Sequence, residues 1–285
     1  MFASPAHLNR VGRYGQQKGL KLTSLKRVIC AGAPVSADNI ERFNTLLNDG
    51  AEIHTPYGAT EAVPIISIKS GEILTETRQL SEKGYGICIG RPINNIDIRI
   101  IRISDDAIER WTDDLTVSRG EIGEITVKGA LVSRRYFENP DADALAKITE
   151  GNQIRHRMGD LGWMDEKGRL WFCGRKSHRI ISAEETLFTI PCEAIFNTHP
   201  RVFRSALVGV GPRLQQQPVI IVELEKTEPH LNLRKLEKEL LSMAAANKLT
   251  KNIQTVLFHK AFPVDIRHNS KIFREKLAIW AAKRI

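Results

Sequence analysis

The sequence predicts an α/β protein with a β-barrel-like subdomain and a smaller carboxyl-terminal α+β domain. Three observations predict it: a strand–turn–helix opening, a middle stretch of short alternating segments punctuated by glycine, and a change of texture after Arg175 to apolar strands and helices.

In chain order, residues 25–35 contain the apolar run Val28-Ile29-Cys30-Ala31, which breaks at Gly32-Ala33-Pro34 before a polar helical stretch from Ser36. Glu52 to His54 then read as a short strand whose tip becomes the loop Thr55-Pro56-Tyr57-Gly58. In open α/β sheets ligands collect at such tips. Between Gly84 and Gly174 the segments Ile96 to Ile103, Gly123 to Val127 and Leu170 to Cys173 alternate, with a hairpin turn at Asp165-Glu166-Lys167-Gly168. Beyond Arg175 come apolar strands Ser205 to Val210 and Val219 to Leu224, a helix over Leu233 to Ala246, and a last helix from Phe273 to Ala282. The expected domains are 1–83, the end of a large α/β nucleotide-binding domain; 84–175, β-rich; a hinge at 176–177; and 178–285, a carboxyl-terminal α+β lid.

Composition narrows the class. With 42% hydrophobic and 26% charged residues the chain reads as a soluble globular protein. No apolar run approaches the roughly 18 residues of a membrane span, and the start lacks a basic-then-apolar leader, so no integral membrane segment and a cytoplasmic location are expected. Cys30, Cys88, Cys173 and Cys192 are scattered without a CxxC pair, which argues against a zinc site or a disulfide framework. The net charge of +9 is dispersed and aromatics are only 6%, so no platform for a nucleic acid is expected.

Three strings carry chemistry. In Tyr57-Gly58-Ala59-Thr60-Glu61 a hydroxyl beside a carboxylate can hold a phosphate oxygen and its magnesium ion, and the preceding ring can stack on a purine. A helix cap is the structural alternative for Thr60-Glu61. In Arg157-Met158-Gly159-Asp160-Leu161-Gly162 a carboxylate in a Gly-flanked loop can accept from both ribose hydroxyls, with Arg175 returning to the same ligand; the alternative is a turn aspartate. Near the carboxyl terminus, Lys271 sits in a polar turn before the final helix. Its ammonium there can stabilise the charge that develops when a carboxylate attacks the α-phosphate of ATP; the alternative is a solvated lysine at a helix start.

In order and spacing these strings resemble the adenylate-forming superfamily of acyl-CoA ligases, luciferases and peptide-synthetase adenylation domains. The resemblance covers essentially the whole chain and implies that superfamily's fold and an ATP- and Mg²⁺-dependent, AMP-forming activation of an acid. It implies Gly32-Ala33-Pro34 as the adenine-pocket turn, Tyr57 as the stacking ring within the Tyr57-Gly58 segment, and Thr60 as a phosphate contact. Glu61 becomes the magnesium ligand, Asp160 the ribose ligand, Arg175 its companion, Ser177 the hinge and Lys271 the adenylation lysine. Gly123-Glu124-Ile125 with Val127-Lys128-Gly129 and Tyr136 matches a further structural motif. The superfamily's Ser/Thr/Gly-rich phosphate loop does not precede Gly32, so a carboxyl-terminal fragment, inactive alone, is expected.

Within the superfamily the strings TPYGATEAVPI (55–65), HRMGDLG (156–162) and PVDIRHNSKI (263–272) are most similar to the β-lactone synthetases of long-chain olefin biosynthesis. That resemblance implies a β-hydroxy fatty acid substrate, lactone closure by its own hydroxyl, and olefin-pathway enzymes as partners. A thioester-forming ligase of long-chain acids is the alternative, and a non-catalytic nucleotide-binding or assembly module is an alternative of another kind. Acyl-CoA ligases keep a glycine about nine residues after the counterpart of Arg175, where pantetheine passes the backbone. Here Glu184 stands at that place, so no coenzyme A site is carried over.

Overall fold

The computed structural model describes residues 1–225, 231–265 and 271–285. They form two compact units, Met1–Arg78 with Ile87–Lys176, and Gln79–Gly86 with Ser177–Ile285.

The first unit opens with β1 (Phe2–Ala3), α1 (Pro5–Gln17), β2 (Arg27–Cys30), α2 (Ala37–Asn44), β3 (Glu52–Ala59) and β4 (Ala62–Lys69). Both helices start where sequence chemistry dictates: Ser4 Oγ accepts from the His7 N–H ahead of Pro5, and Ser36 Oγ accepts from the Asn39 N–H. A helical stretch follows, α3 (Ser70–Glu72), a π-helical turn (Ile73–Thr77) and α4 (Arg78–Glu82). Then come β5 (Ile87–Pro92), β6 (Ile96–Ile101), β7 (Gly123–Gly129), α5 (Pro140–Ala146), β8 (Lys147–Glu150), β9 (Gln153–Met164) and β10 (Leu170–Arg175).

These strands make one ten-stranded sheet, nine of them in the order β1-β2-β3-β4-β5-β10-β9-β7-β6 and the tenth, β8, paired to β9 off that path. The β1-β2-β3 pairs are parallel and those from β3 onward antiparallel, so the α/β opening and the β-rich stretch share a sheet, joined at β4–β5. Ala62, Ile65, Ile66, Ile98, Ile100, Ile125, Val127, Met158 and Leu170 form a core across β4, β6, β7, β9 and β10. Trp163 on β9 and Trp171 on β10 stack with ring centroids 5.5 Å apart and planes 11° from parallel.

Two elements differ from the expectation for a physical reason. The strand expected to end at His54 runs on to Ala59, because β4 takes over as partner where β2 stops: the β2 register ends at Ile29↔His54, while Pro56 faces Ser67 and Tyr57 faces Ile66 on β4. Pro56 is tolerated there since its missing N–H lies beyond the β2 ladder. Asp160 is not in a loop but inside the twelve-residue β9, where three partner strands override the local signal of two glycines and an aspartate.

The second unit holds β11 (Ile180–Ile181), β12 (Thr186–Leu187), α6 (Thr189–Asn197), β13 (Val202–Val210), β14 (Gln217–Leu224), α7 (Leu233–Ala245), β15 (Thr255–Phe258) and α8 (Arg274–Ala281). Among the described residues β13-β14-β15 form a three-stranded sheet, antiparallel then parallel. Alternate residues feed two cores, as a strand buried on both faces requires. Leu207, Ile220 and Val222 meet Phe196, Leu236 and Leu240, while Ala206, Val208, Val219 and Ile221 meet Phe262, Leu277 and Ala281.

Candidate active site

The Tyr57-to-Glu61 string crosses a tight hairpin: Tyr57, Gly58 and Ala59 end β3, and Thr60-Glu61 form the two-residue turn into β4. The helix-cap alternative is therefore not realised. Gly58 is required sterically, since a Cβ there would lie 2.5 Å from Ala62 O and 2.9 Å from Val63 Cα. The hairpin tip borders a cavity of about 440 Å³ lined by Gly58, Ala59, Thr60, Glu61, Tyr136 and His156, and by Arg157, Gly159, Arg175 and Lys176.

The facing wall is β9. Glu124 pairs with Leu161 and Thr126 with Arg157, so β9 carries two extra residues over that interval and bulges at 158–160. Gly159 absorbs the bulge at φ +65°, with no atom within 4 Å of a Cβ position. The bulge re-aims Asp160, which is 5% exposed. Its Oδ2 accepts from the Tyr57 hydroxyl at 2.6 Å, and its Oδ1 lies 3.1 Å from Arg175 Nε. Burial, then Asp160, push the Tyr57 phenol well above its ordinary value. Tyr57, Asp160 and Arg175 are thus one group beside the cavity, joined by a hydrogen bond on one carboxylate oxygen and an ion pair on the other, and the turn-aspartate alternative is not realised.

Glu61 is the centre of a second group. Tyr136 donates to Glu61 Oε1 at 2.8 Å, and Lys147 sits 5.0 Å from the Tyr136 ring centroid while donating to Ser133 O at 2.8 Å. Burial opposes the Glu61 charge, but the Tyr136 bond and the fields of His156 and Lys147 hold its carboxyl below the usual range. His156 lines the cavity with Nδ1 3.1 Å from Ala146 O, and burial draws it from 6.5 to about 4.

The same cavity is also lined by a buried ion cluster. Arg157 Nη2 donates to Glu124 Oε2 at 2.6 Å and Lys176 Nζ stands 3.0 Å from Glu124 Oε1, while the same guanidinium donates to Ser104 O, Asp106 O and Leu145 O. Sequence reasoning gave no site role to Glu124, Tyr136, His156, Arg157 or Lys176. The available signal was adjacency, since His156-Arg157 precede Met158-Gly159-Asp160 and Lys176 follows Arg175.

Gly32-Ala33-Pro34 occupy the turn between β2 and α2, with Gly32 at φ +101°, and do not line the cavity. Glu184 lies exposed at the tip of the β11–β12 hairpin, where Ser182 Oγ accepts from its N–H at 3.3 Å. Lys271 belongs to the second unit and is exposed; residues 266–270 of its string lie outside the described residues. No helix among the described residues is long and apolar enough to cross a membrane, and the four cysteines are buried and free.

The oxygen donors at the hairpin, an ionised carboxylate and a hydroxyl, suit a hard cation that keeps water and substrate phosphates as its other ligands. No cluster of three or more His, Cys, Asp or Glu forms a metal cage among the described residues.

Residues 1–137 match the family described as AMP-binding enzyme, and the fold is that of an amide bond synthetase, McbA, from Marinactinospora thermotolerans (TM-score 0.78, 21% identity, 98% of this chain and 52% of that chain). The class so matched is that of the AMP-binding enzymes, over the first 137 residues. Within that class it is 44% identical to an olefin beta-lactone synthetase of Xanthomonas campestris pv. campestris and 42% identical to one of Stenotrophomonas maltophilia, in each case over 100% of this chain. The chain spans about half the length of these curated relatives, 51% of each.

Proposed function

We propose that this chain is the nucleotide-handling portion of an ATP- and Mg²⁺-dependent, AMP-forming synthetase that activates a long-chain β-hydroxy acid and closes it to a β-lactone. The observation that carries the reading is convergence: strings a hundred residues apart in sequence meet as the Tyr57–Asp160–Arg175 group beside a cavity bordered by Thr60 and Glu61. The 44% and 42% identity to two olefin beta-lactone synthetases along the whole of this chain supports the choice of acid and of second step.

In this reading Asp160, released from Tyr57, accepts the ribose hydroxyls, and the freed Tyr57 ring stacks on the base. Thr60 would hold a phosphate oxygen, and Glu61 would hold Mg²⁺, which when bound would supply neutralisation of phosphate charge. The substrate carboxylate attacks the α-phosphorus, pyrophosphate leaves, and Lys271 stabilises the charge that builds up. The substrate's own hydroxyl then attacks the acyl carbon and AMP leaves, a closure favoured by tethering. Gly32-Ala33-Pro34 border the base, and the chain turns about Lys176-Ser177 between the steps. Partners from the same olefin pathway and a cytoplasmic site of action complete the proposal.

Two measurements test it. Asp160→Ala in this chain should weaken binding of a non-hydrolysable AMP analogue at least about tenfold by calorimetry. In the intact protein containing this chain, Lys271→Ala should slow ATP–pyrophosphate exchange by orders of magnitude yet spare AMP release from supplied acyl-adenylate. Equal loss in both steps contradicts the assignment. A coenzyme A requirement for AMP release would instead select the thioester-forming ligase, which the exposed Glu184 side chain at the β11–β12 tip disfavours.

A further inference from the structure

Lys271 is fastened on both sides within the second unit. On one side Val264 pairs with Ile272 in an antiparallel bridge, the Asp265 N–H donates to Lys271 O at 2.9 Å, and the Phe273 N–H donates to Pro263 O at 2.9 Å. On the other side α8 begins with Arg274, whose Nη2 donates to Glu193 Oε2 at 2.9 Å and whose Nη1 lies 2.8 Å from Oε1. Glu193 is 4% exposed, stands on α6, and its Oε1 also accepts from the Leu207 N–H of β13 at 2.8 Å. The next residue of α8, Glu275, meets His178 Nε2 at 3.0 Å.

A buried ion pair is a poor way to gain stability, because desolvation offsets most of the attraction and a well-packed apolar pair is often as good. What a two-pronged guanidinium–carboxylate contact supplies is direction: it holds the first turn of α8 in one register against α6 and β13. Burial pushes the Glu193 carboxyl up while Arg274 and the Leu207 N–H pull it down, so its charge depends on those two partners.

We propose that Glu193, acting through Arg274, is a positioning residue for Lys271: the buried pair fixes the start of α8, and the bridge at Ile272 passes that constraint to the lysine three residues earlier. This rests on the reading of Lys271 as the adenylation lysine.

The experiment uses the intact protein with 3-hydroxypalmitic acid as probe. It follows ATP–pyrophosphate exchange and, separately, AMP release from the supplied acyl-adenylate. Glu193→Gln should slow exchange about 10- to 100-fold, the scale of a misplacement near 1 Å, and leave AMP release within about twofold. Arg274→Lys, which keeps the charge opposite Glu193, should slow exchange less than Glu193→Gln does. Adding Glu193→Gln to Lys271→Ala should bring no further loss, since both act through one group. Should Glu193→Gln fail to fold, the pair Glu193→Leu with Arg274→Met leaves no unpaired buried charge and carries the same expectation. Exchange at the parental rate in that folded pair overturns the inference, as does equal slowing of both half-reactions. Unimpaired exchange in Lys271→Ala would instead sink the underlying functional reading and leave the role of Glu193 in placing this segment to be read from amide exchange at 271–275, where parental protection in Glu193→Gln rejects it.

Discussion

Asp160 and Tyr57 lie 103 positions apart in sequence and 2.6 Å apart in space. Their chemistry was legible in Tyr57-Gly58-Ala59-Thr60-Glu61 and Met158-Gly159-Asp160, because aromatic, hydroxyl and carboxylate groups announce themselves by type. Their mutual contact was not, since it depends on a bulge that only strand pairing creates. His156 was illegible for a related reason: a lone histidine in a strand says nothing about which side it faces. Its burial has a measurable result. Unfolded, this imidazole takes up a proton near 6.5; folded, it waits until about 4. Between those values the unfolded chain binds more protons, so stability present above 6.5 is lost as pH falls through the window. The loss is on the order of 1 kcal/mol per pH unit. His156→Gln should flatten the melting temperature against pH between 6.5 and 4; an unchanged slope refutes the origin assigned to it.

The elements divide into those that local sequence dictates and those that partners dictate. The helix α2 begins at Ser36, where the sequence already marked a helical start, whereas α1, capped by Ser4, went unread. The long strands β3 and β9 exceed what their own residues promise, because Pro56 in one and Gly159-Asp160 in the other read as loop until neighbouring strands supply the hydrogen bonds. Between β7 and β9 the pairing also carries the Glu124–Arg157 contact, with both side chains 1% exposed. Truncating Glu124 to Ala strands Arg157 and Lys176 without their carboxylate and should cost about 3–5 kcal/mol, read as a lowered denaturant midpoint. Removing Glu124 and Arg157 together should cost less than the sum of the single changes. Strict additivity would mean that the two groups do not act as a pair.

At the scale of the molecule, the α/β class and a smaller α+β part were legible from texture alone, since strand-turn-helix order and the change after Arg175 are properties of the hydrophobic pattern. The inclusion of Gln79–Gly86 with the second unit was not, because nothing in those polar residues marks which core they accompany. Each unit closes its own apolar interior, so damage to one should be local. Leu240→Ala, at a side chain 0% exposed in the α6–α7 core, should lower one calorimetric transition by an amount equivalent to about 2–5 kcal/mol and leave the other in place. A single transition that shifts as a whole contradicts this. The near-parallel indoles of Trp163 and Trp171 bear on the same distinction. Two such rings 5.5 Å apart couple their electronic transitions, while the second unit has Trp280 alone. The exciton band in circular dichroism is therefore an optical tag for the β9–β10 ladder, native to the chain and placed a few residues from Asp160 and Arg175.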